Sequence, residues 1–132
     1  MEVLFEVEEG SLENVESSKV VEAVVKTLDS KKAKNIKVLK IGDKTIIADY
    51  FVICTGTSTT QIRALTDEVE YQLKRGSVPF VKIEGSDCID WKVVDAHDVI
   101  VHIFTDEARE FYKLEKLWAD AEDVSITDII NN

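Results

Sequence analysis

One short segment has the residue types of an anion site: Gly56, Thr57 and Ser58, which follow an apolar run and precede a helical pattern. Free backbone amides and the helix dipole both favour a negative group at such a junction. The segment lacks the lysine of a P-loop and the spacing of a dinucleotide-binding loop. No pair of carboxylates one residue apart stands on a predicted strand to hold the magnesium of nucleotidyl transfer. A structural turn is therefore favoured over a nucleotide site.

The two histidines, His97 and His102, lie five positions apart, which places them on opposite faces of an extended strand. They cannot share a metal ion in that arrangement, and no Ser-His-Asp or Cys-His set can be assembled. Cys54 and Cys88 lack metal-site spacing and provide no disulfide framework. We predict no catalytic residue, no metal and no cofactor, and we assign His102 and Asp49 to the polar framework of the sheet.

Trp91 differs from these candidates because it stands among acidic residues. A large aromatic side chain with a charged rim is typical of a protein contact. The alternative is a core tryptophan on the same strand face as Ile89 and Val93. The residues alone leave both interpretations open. The flanking aspartates are Asp87, Asp90, Asp95 and Asp98.

The first half of the chain predicts a helix, two strands and a second helix. Residues 15–31 place apolar side chains at helical spacing. Strands over 36–41 and 45–55 follow, with a tight hairpin turn at Gly42 and Asp43. Ser58 then opens the second helix with a capping box completed by the residue three positions later. This helix ends at a suitable stop, the glycine at position 76.

The second half predicts three strands and a final helix. A strand over residues 80–84 returns after the second helix, which implies a parallel pair with the strand before that helix. Strands over 91–94 and 99–104 form an antiparallel hairpin. Thr105 caps a helix that runs through Trp118. The order αββαβββα predicts an α/β (α+β) fold with a mixed sheet of about five strands and flanking helices.

Length and charge place these elements in one domain. The 132 residues suit a single core, and hydrophobic residues at 45% exclude a wholly disordered chain. Residues 1–16 and 120–132 carry acids and no base. We therefore predict an acidic extension over 1–14, a folded domain over 15–119 and an acidic tail over 120–132. No signal peptide or membrane span can be drawn, so a cytoplasmic location is expected.

Charge is also unevenly distributed within the predicted domain. Residues 17–50 carry eight lysines, whereas residues 84–110 carry eight acids against Lys92 and Arg109. An acidic surface disfavours nucleic acid and suits a basic protein partner. The alternative is that these acids only aid solubility.

Three stretches carry a family resemblance. Residues 90–104 read DWKVVDAHDVIVHIF, residues 108–118 read AREFYKLEKLW, and residues 49–58 read DYFVICTGTS. In their order along the chain, with residues 49–58 first, they closely resemble the motifs of the ribosome silencing factor family, also called the RsfS or Iojap family. The resemblance covers residues 15–119. One departure is His97, where the family commonly has glycine.

The resemblance implies a nucleotidyltransferase-like core that is a binding protein, not an enzyme. Members dock on the large (50S) ribosomal subunit, against its ribosomal protein fourteen. They sterically block association with the small subunit, and translation falls under nutrient limitation. Little direct nucleic-acid contact is then expected. Carried onto this chain, the resemblance assigns partner contacts to Trp91, Asp95, Ala96, His97 and Asp98, with Tyr112, Leu114 and Trp118 presenting or supporting that surface.

Two alternatives belong to other functional classes. A nucleotide-binding or nucleotidyltransferase-like enzyme would use the turn at Gly56 and Ser58, and a nucleotide would then raise its melting temperature. A homodimeric interaction adaptor would associate through an exposed sheet edge and would not bind ribosomes.

Overall fold

The fold is a six-stranded mixed sheet with helices on both faces, seen in a computed structural model that describes residues 5–131. The strand order is β3-β4-β5-β2-β1-β6. The predicted mixed α+β class is confirmed, with six strands in place of about five. The elements are α1 (Ser17–Ser30), β1 (Lys34–Lys40), β2 (Tyr50–Gly56), α2 (Thr59–Arg75), β3 (Lys82–Glu84), β4 (Trp91–Asp95), β5 (Val99–Thr105), α3 (Asp106–Tyr112), α4 (Leu114–Leu117), β6 (Glu122–Val124) and α5 (Ile126–Ile130).

The parallel pair of the sheet is β2 with β5, and the other strand pairs are antiparallel. The predicted pairing of β2 with the strand after α2 is wrong. That strand, β3, lies at the sheet edge and pairs with β4. The burial pattern gives the reason, because Lys82 and Glu84 are exposed whereas most of β5 is buried, as a central strand requires.

The predicted tight turn at Gly42 and Asp43 is also wrong, although β1 and β2 are antiparallel neighbours as expected. A loop over residues 41–49 joins them. The amide groups of Asp49 and Tyr50 both donate to the carbonyl oxygen of Asp98, at 2.8 and 3.1 Å. The Asp49 carbonyl oxygen accepts from the amides of Ile41 and Gly42 at 2.9 and 3.1 Å, and the strand ladder itself starts with Lys40 opposite Tyr50.

One face of the sheet, here called the helix face, is covered by α1 and α2. The apolar stripe of α2 is no more than 1% exposed at Ile62, Leu65, Val69 and Leu73, as its spacing predicts. The helix begins after Ser58, whose hydroxyl accepts the Gln61 amide hydrogen at 3.0 Å. The Gln61 side chain accepts from the amide of Thr57 at 2.5 Å, one residue earlier than the expected capping box places it.

Both acidic ends pack against this fold, so the described structure extends beyond residues 15–119. Near the beginning, Val7 is buried, and its amide donates to Oε1 of Gln72 at 2.8 Å. Near the end, β6 pairs with β1, and Asp123 forms a 3.6 Å ion pair with Lys37. Ile129 of α5 is buried in the core of the helix face. Apolar residues that stand between the acids make these contacts, and net charge alone does not reveal them.

The other face, here called the aromatic face, has a smaller core. Leu39, Phe51, Ile53 and Phe104 are buried there, with Ala108 of α3 above them. The helix predicted from Thr105 through Trp118 is confirmed at its cap, where the Thr105 hydroxyl accepts from the Ala108 amide. It is interrupted at Lys113, whose φ of 49° is left-handed, and the chain continues as the separate helix α4.

Candidate protein-docking site

Trp91 lies at the centre of a connected group of rings on the aromatic face. Its ring stacks on that of Phe104 with centroids 4.8 Å apart and contacts that of Tyr112 at the same distance. Such pairs stabilise beyond the area they bury. Trp91 nevertheless keeps part of its side chain exposed, so it combines a core contact with a surface position. We name this group the aromatic cluster; its members are Phe51, Trp91, His102, Phe104, Tyr112 and Trp118.

A groove of about 480 Å³ opens beside Trp91. Strand alternation builds it, because the odd-numbered residues of β4 face this side of the sheet. Its apolar lining includes Val93 and Ile100, which pack beside Phe51 and His102. Glu84 and Asp95 stand in the same lining and supply negative charge. An apolar groove with acidic residues suits a basic protein segment.

His102 connects the groove with the aromatic cluster. Its Nδ1 accepts a hydrogen bond from Nε1 of Trp91 at 3.2 Å, and its ring meets that of Phe51 edge to face at 4.7 Å. Burial lowers the pKa of His102 from 6.5 to about 4, so the imidazole is neutral at neutral pH. Its Nε2 is buried without a hydrogen-bond partner. His102 thus lies within β5 and accepts the hydrogen bond that holds the Trp91 indole N–H.

The turn at residues 95–98 lies at the far end of the β4–β5 hairpin from Trp91, roughly 14 Å away at the usual rise of a strand. The His97 backbone is left-handed, with a φ of 71°, a conformation that glycine adopts most easily. The Asp95 carboxylate stabilises it by accepting the His97 amide hydrogen at 2.8 Å. His97 and Asp98 are exposed, but Ala96 is buried in the core of the helix face and presents little surface.

The corner between α3 and α4 presents the remaining predicted contacts. Tyr112 is about half exposed beside Trp91, at 51%. Leu114 and Trp118 are partly buried against the core of the aromatic face, where the Trp118 ring contacts Phe51 at 5.6 Å. Tyr112 therefore exposes ring surface beside Trp91, whereas Leu114 and Trp118 pack mainly against the core.

The other two framework residues lie away from this surface. Asp49 accepts a hydrogen bond from the Ser17 hydroxyl at 2.9 Å, which ties the loop before β2 to the start of α1. Ser58 is the N-cap of α2. Both side chains therefore accept hydrogen bonds that join neighbouring elements, from Ser17 and from the Gln61 amide.

The turn at Gly56 has a packing role. A Cβ atom placed on Gly56 would lie 2.6 Å from Cγ2 of Ile62, so glycine allows the close approach of β2 to α2. The neighbouring thiol is no nucleophile, because burial raises the pKa of Cys54 to about 12. Within residues 5–131 there is also no group of three or more metal-ligating side chains.

Comparisons with known proteins show the family. A family model described as "Ribosomal silencing factor during starvation" (RsfS) matches residues 14–132. The chain belongs to the ribosomal silencing factor family. It is 32% identical over 115 residues to the ribosomal silencing factor RsfS of Halalkalibacterium halodurans, which covers 87% of this chain and 98% of that protein.

Two further RsfS-family comparisons extend this result. The chain is 36% identical over 112 residues to the mouse protein named mitochondrial assembly of ribosomal large subunit protein 1, covering 83% of this chain and 49% of that protein. A crystal structure of a Chromobacterium violaceum protein superposes with a TM-score of 0.77 at 31% identity. It covers 80% of this chain and 88% of that one. The family resemblance read from the three motifs is confirmed.

Two features of this RsfS-family chain were missed in the sequence. Ile46 and Ile47 were assigned to a strand, yet they lie in the loop before β2 and are 104% and 60% exposed. Lys92 is only 6% exposed, and its ammonium group donates to the carbonyl oxygens of Ser86 and Cys88, both at 2.9 Å. It thereby shapes the loop that precedes Trp91. Strict alternation along β4, which turns Lys92 away from the groove, is the signal that could have revealed its burial.

The helices of this RsfS-family chain are short. Within residues 5–131, none has both the length and the apolar character that crossing a membrane requires.

Proposed function

We propose that this protein is a ribosomal silencing factor that binds the large ribosomal subunit and blocks its association with the small subunit. Translation would then fall under nutrient limitation. The observation that carries the proposal is the partly exposed Trp91 beside an acid-lined apolar groove, in a member of the RsfS family. The name of the mouse relative, which specifies the ribosomal large subunit, supports the choice of partner.

The direct partner in this proposal is ribosomal protein fourteen of the large subunit. Ribosomal proteins carry basic surfaces because they contact RNA, and an acidic groove attracts such a surface while repelling bare phosphates. Trp91 and Tyr112 supply the apolar anchor, since both rings are partly or half exposed. Asp95 in the groove lining and the exposed Asp98 of the following turn supply negative charge, and His97 lies between them in the chain.

The protein acts by occupying space in this proposal, so it needs no turnover. The groove beside Trp91 is lined by the Cys88 thiol and the His102 imidazole, but burial lowers the pKa of His102 to about 4, which makes it a weak base. Gly56 is explained by packing. A nucleotide should therefore leave the melting temperature unchanged. A shift on adding a nucleoside triphosphate would favour the enzyme alternative.

The decisive experiment measures binding of Trp91→Ala to purified large subunits by co-sedimentation. We expect a loss of affinity of about thirtyfold or more, because aromatic anchors contribute most of the binding free energy of an interface. The matched control is Tyr71→Ala, which removes an aromatic ring that is 52% exposed on α2, away from the aromatic face. Circular dichroism establishes that both variants fold.

A subunit-joining assay then tests the consequence of binding. The wild type should reduce formation of whole ribosomes from separated subunits, and Trp91→Ala should not. Equal co-sedimentation by the wild type and Trp91→Ala would contradict the assigned surface. Failure of the wild type to bind large subunits would contradict the function itself.

A further inference from the structure

Arg109 of α3 connects segments that are distant in sequence. Its Nη1 donates to the carbonyl oxygen of Asn35 at 2.6 Å and to Oγ1 of Thr55 at 2.9 Å. Its Nε and Nη2 donate to the two carboxylate oxygens of Glu115 at 3.3 and 3.4 Å. The side chain is only 14% exposed, so these bonds are partly shielded from water.

The bond to Glu115 spans the interruption between α3 and α4. Lys113 stands at this interruption in a left-handed conformation, and its side chain does not cap α4. α4 itself has four residues, none of them buried. A helix of one turn is not stable alone, so its direction depends on tertiary contacts. The bidentate hydrogen bond from Arg109 to Glu115 is such a contact.

The direction of α4 determines where Trp118 lies. Trp118 directly follows α4 and supports the aromatic cluster through its 5.6 Å contact with Phe51. Arg109 is itself fixed to the sheet by Thr55 of β2. A continuous set of contacts therefore runs from the sheet through Arg109 and Glu115 to Trp118.

We propose that Arg109 is a positioning residue for the docking surface, which with Glu115 fixes the α3–α4 corner before the partner arrives. This inference rests on the proposed function and adds a residue that does not itself touch the partner. Ordering the corner in advance lowers the entropic cost of binding. A lysine could not replace Arg109, because one ammonium group cannot reproduce the planar two-pronged bond to Glu115 and the two bonds to the sheet.

The test compares Arg109→Lys and Glu115→Gln with the wild type. Both variants keep the approximate size of the side chain and remove the two-pronged ionic bond. We expect about a tenfold loss of affinity for purified large subunits, measured where every variant is folded. Arg63→Lys is the matched control, because Arg63 is an exposed arginine on α2. It should bind as the wild type does.

A second measurement separates positioning from a general loss of stability. The indole N–H signals of Trp91 and Trp118 are resolved by NMR in the free protein and assigned with Trp118→Phe. In both Arg109→Lys and Glu115→Gln, the Trp118 signal should shift or broaden, while the Trp91 signal, held by the bond to His102, should stay.

Four outcomes decide the inference. Weaker binding together with a displaced Trp118 signal supports it. Unchanged binding overturns it, whatever the Trp118 signal does. Weaker binding with an unchanged Trp118 signal also overturns it, because Arg109 would then act by another route. Absence of binding by the wild type rejects the proposed function and this inference with it, and the Trp118 signal still reports whether the contact positions the corner.

Discussion

The two faces of the sheet bury apolar side chains to different extents. On the helix face, α1 and α2 cover the strands, and the α2 stripe from Ile62 to Leu73 is almost completely buried. On the aromatic face, α3 and α4 cover less, and Trp91, Ile100 and Trp118 stay partly exposed around the smaller core. The helix face completes its own core, whereas the aromatic face retains apolar surface that a partner can cover.

The polar groups differ in the same way. On the helix face, the buried Gln72 accepts from the Val7 amide and donates to the Phe5 carbonyl oxygen and to Glu68. On the aromatic face, Nε2 of His102 has no acceptor. Stability and binding should therefore respond to different substitutions, which gives a way to test the comparison.

The largest expected effect on stability is on the helix face. Leu65→Ala leaves a cavity beneath α2, because Leu65 is 1% exposed, and should lower the free energy of unfolding by about 2–5 kcal/mol. Leu117→Ala is the matched control: the same atoms are removed from a side chain that is 74% exposed, with an expected change within about 0.5 kcal/mol. Urea denaturation measures both. Similar losses in the two variants would contradict the assignment of the core.

Large-subunit binding completes this test. Under conditions where it is folded, the Leu65→Ala variant should bind large subunits with nearly wild-type affinity, since the helix face is remote from Trp91. Strongly weakened binding by the folded variant would show that the two faces are coupled.

The next effect concerns the pH dependence of His102. Burial lowers its pKa in the folded protein to about 4, and the unfolded chain has the ordinary value near 6.5. Below pH 6.5 the unfolded state therefore binds a proton that the folded state excludes, and stability falls as pH falls towards 4. Between pH 7 and pH 5 the expected loss from this residue is about 2 kcal/mol.

The control for this pH effect is His102→Asn, whose amide oxygen can still accept from Trp91. Absolute stability will differ between the two proteins, so only the slopes of unfolding free energy against pH are compared. The wild type should lose more stability than His102→Asn between pH 7 and pH 5. Parallel slopes would show that His102 takes up a proton as readily when folded as when unfolded.

Local patterns were sufficient to predict several elements. α2 followed from helical spacing and from Ser58 as its cap, and the β4–β5 hairpin followed from two apolar strands with a short connection. The partner of β3 could not be predicted this way, because strand pairing joins residues that are distant in sequence. For the same reason β6 was not predicted, because it pairs with β1, and its Asp123 forms an ion pair with Lys37, which is distant in sequence.

The candidate site was predictable in part. Composition singled out Trp91, and the structure surrounds it with rings from β5 and α3 that only tertiary folding brings together. Ala96 was included with its neighbours, but alternation along β4 turns it to the helix face with Val94. Arg109 gave no local signal, because its partners Asn35 and Thr55 lie far upstream.

The smallest expected effect on stability comes from removing the helix caps, one on each face of the sheet. Ser58 caps α2 and Thr105 caps α3, in each case by accepting the amide hydrogen three residues later. Ser58→Ala and Thr105→Ala should each lower the free energy of unfolding by about 1 kcal/mol. Binding should distinguish them, because α3 carries Tyr112 to Trp91 whereas α2 lies on the opposite face. Only Thr105→Ala should weaken binding to large subunits, by about threefold, and equal affinities in the two variants would argue against a docking surface confined to the aromatic face.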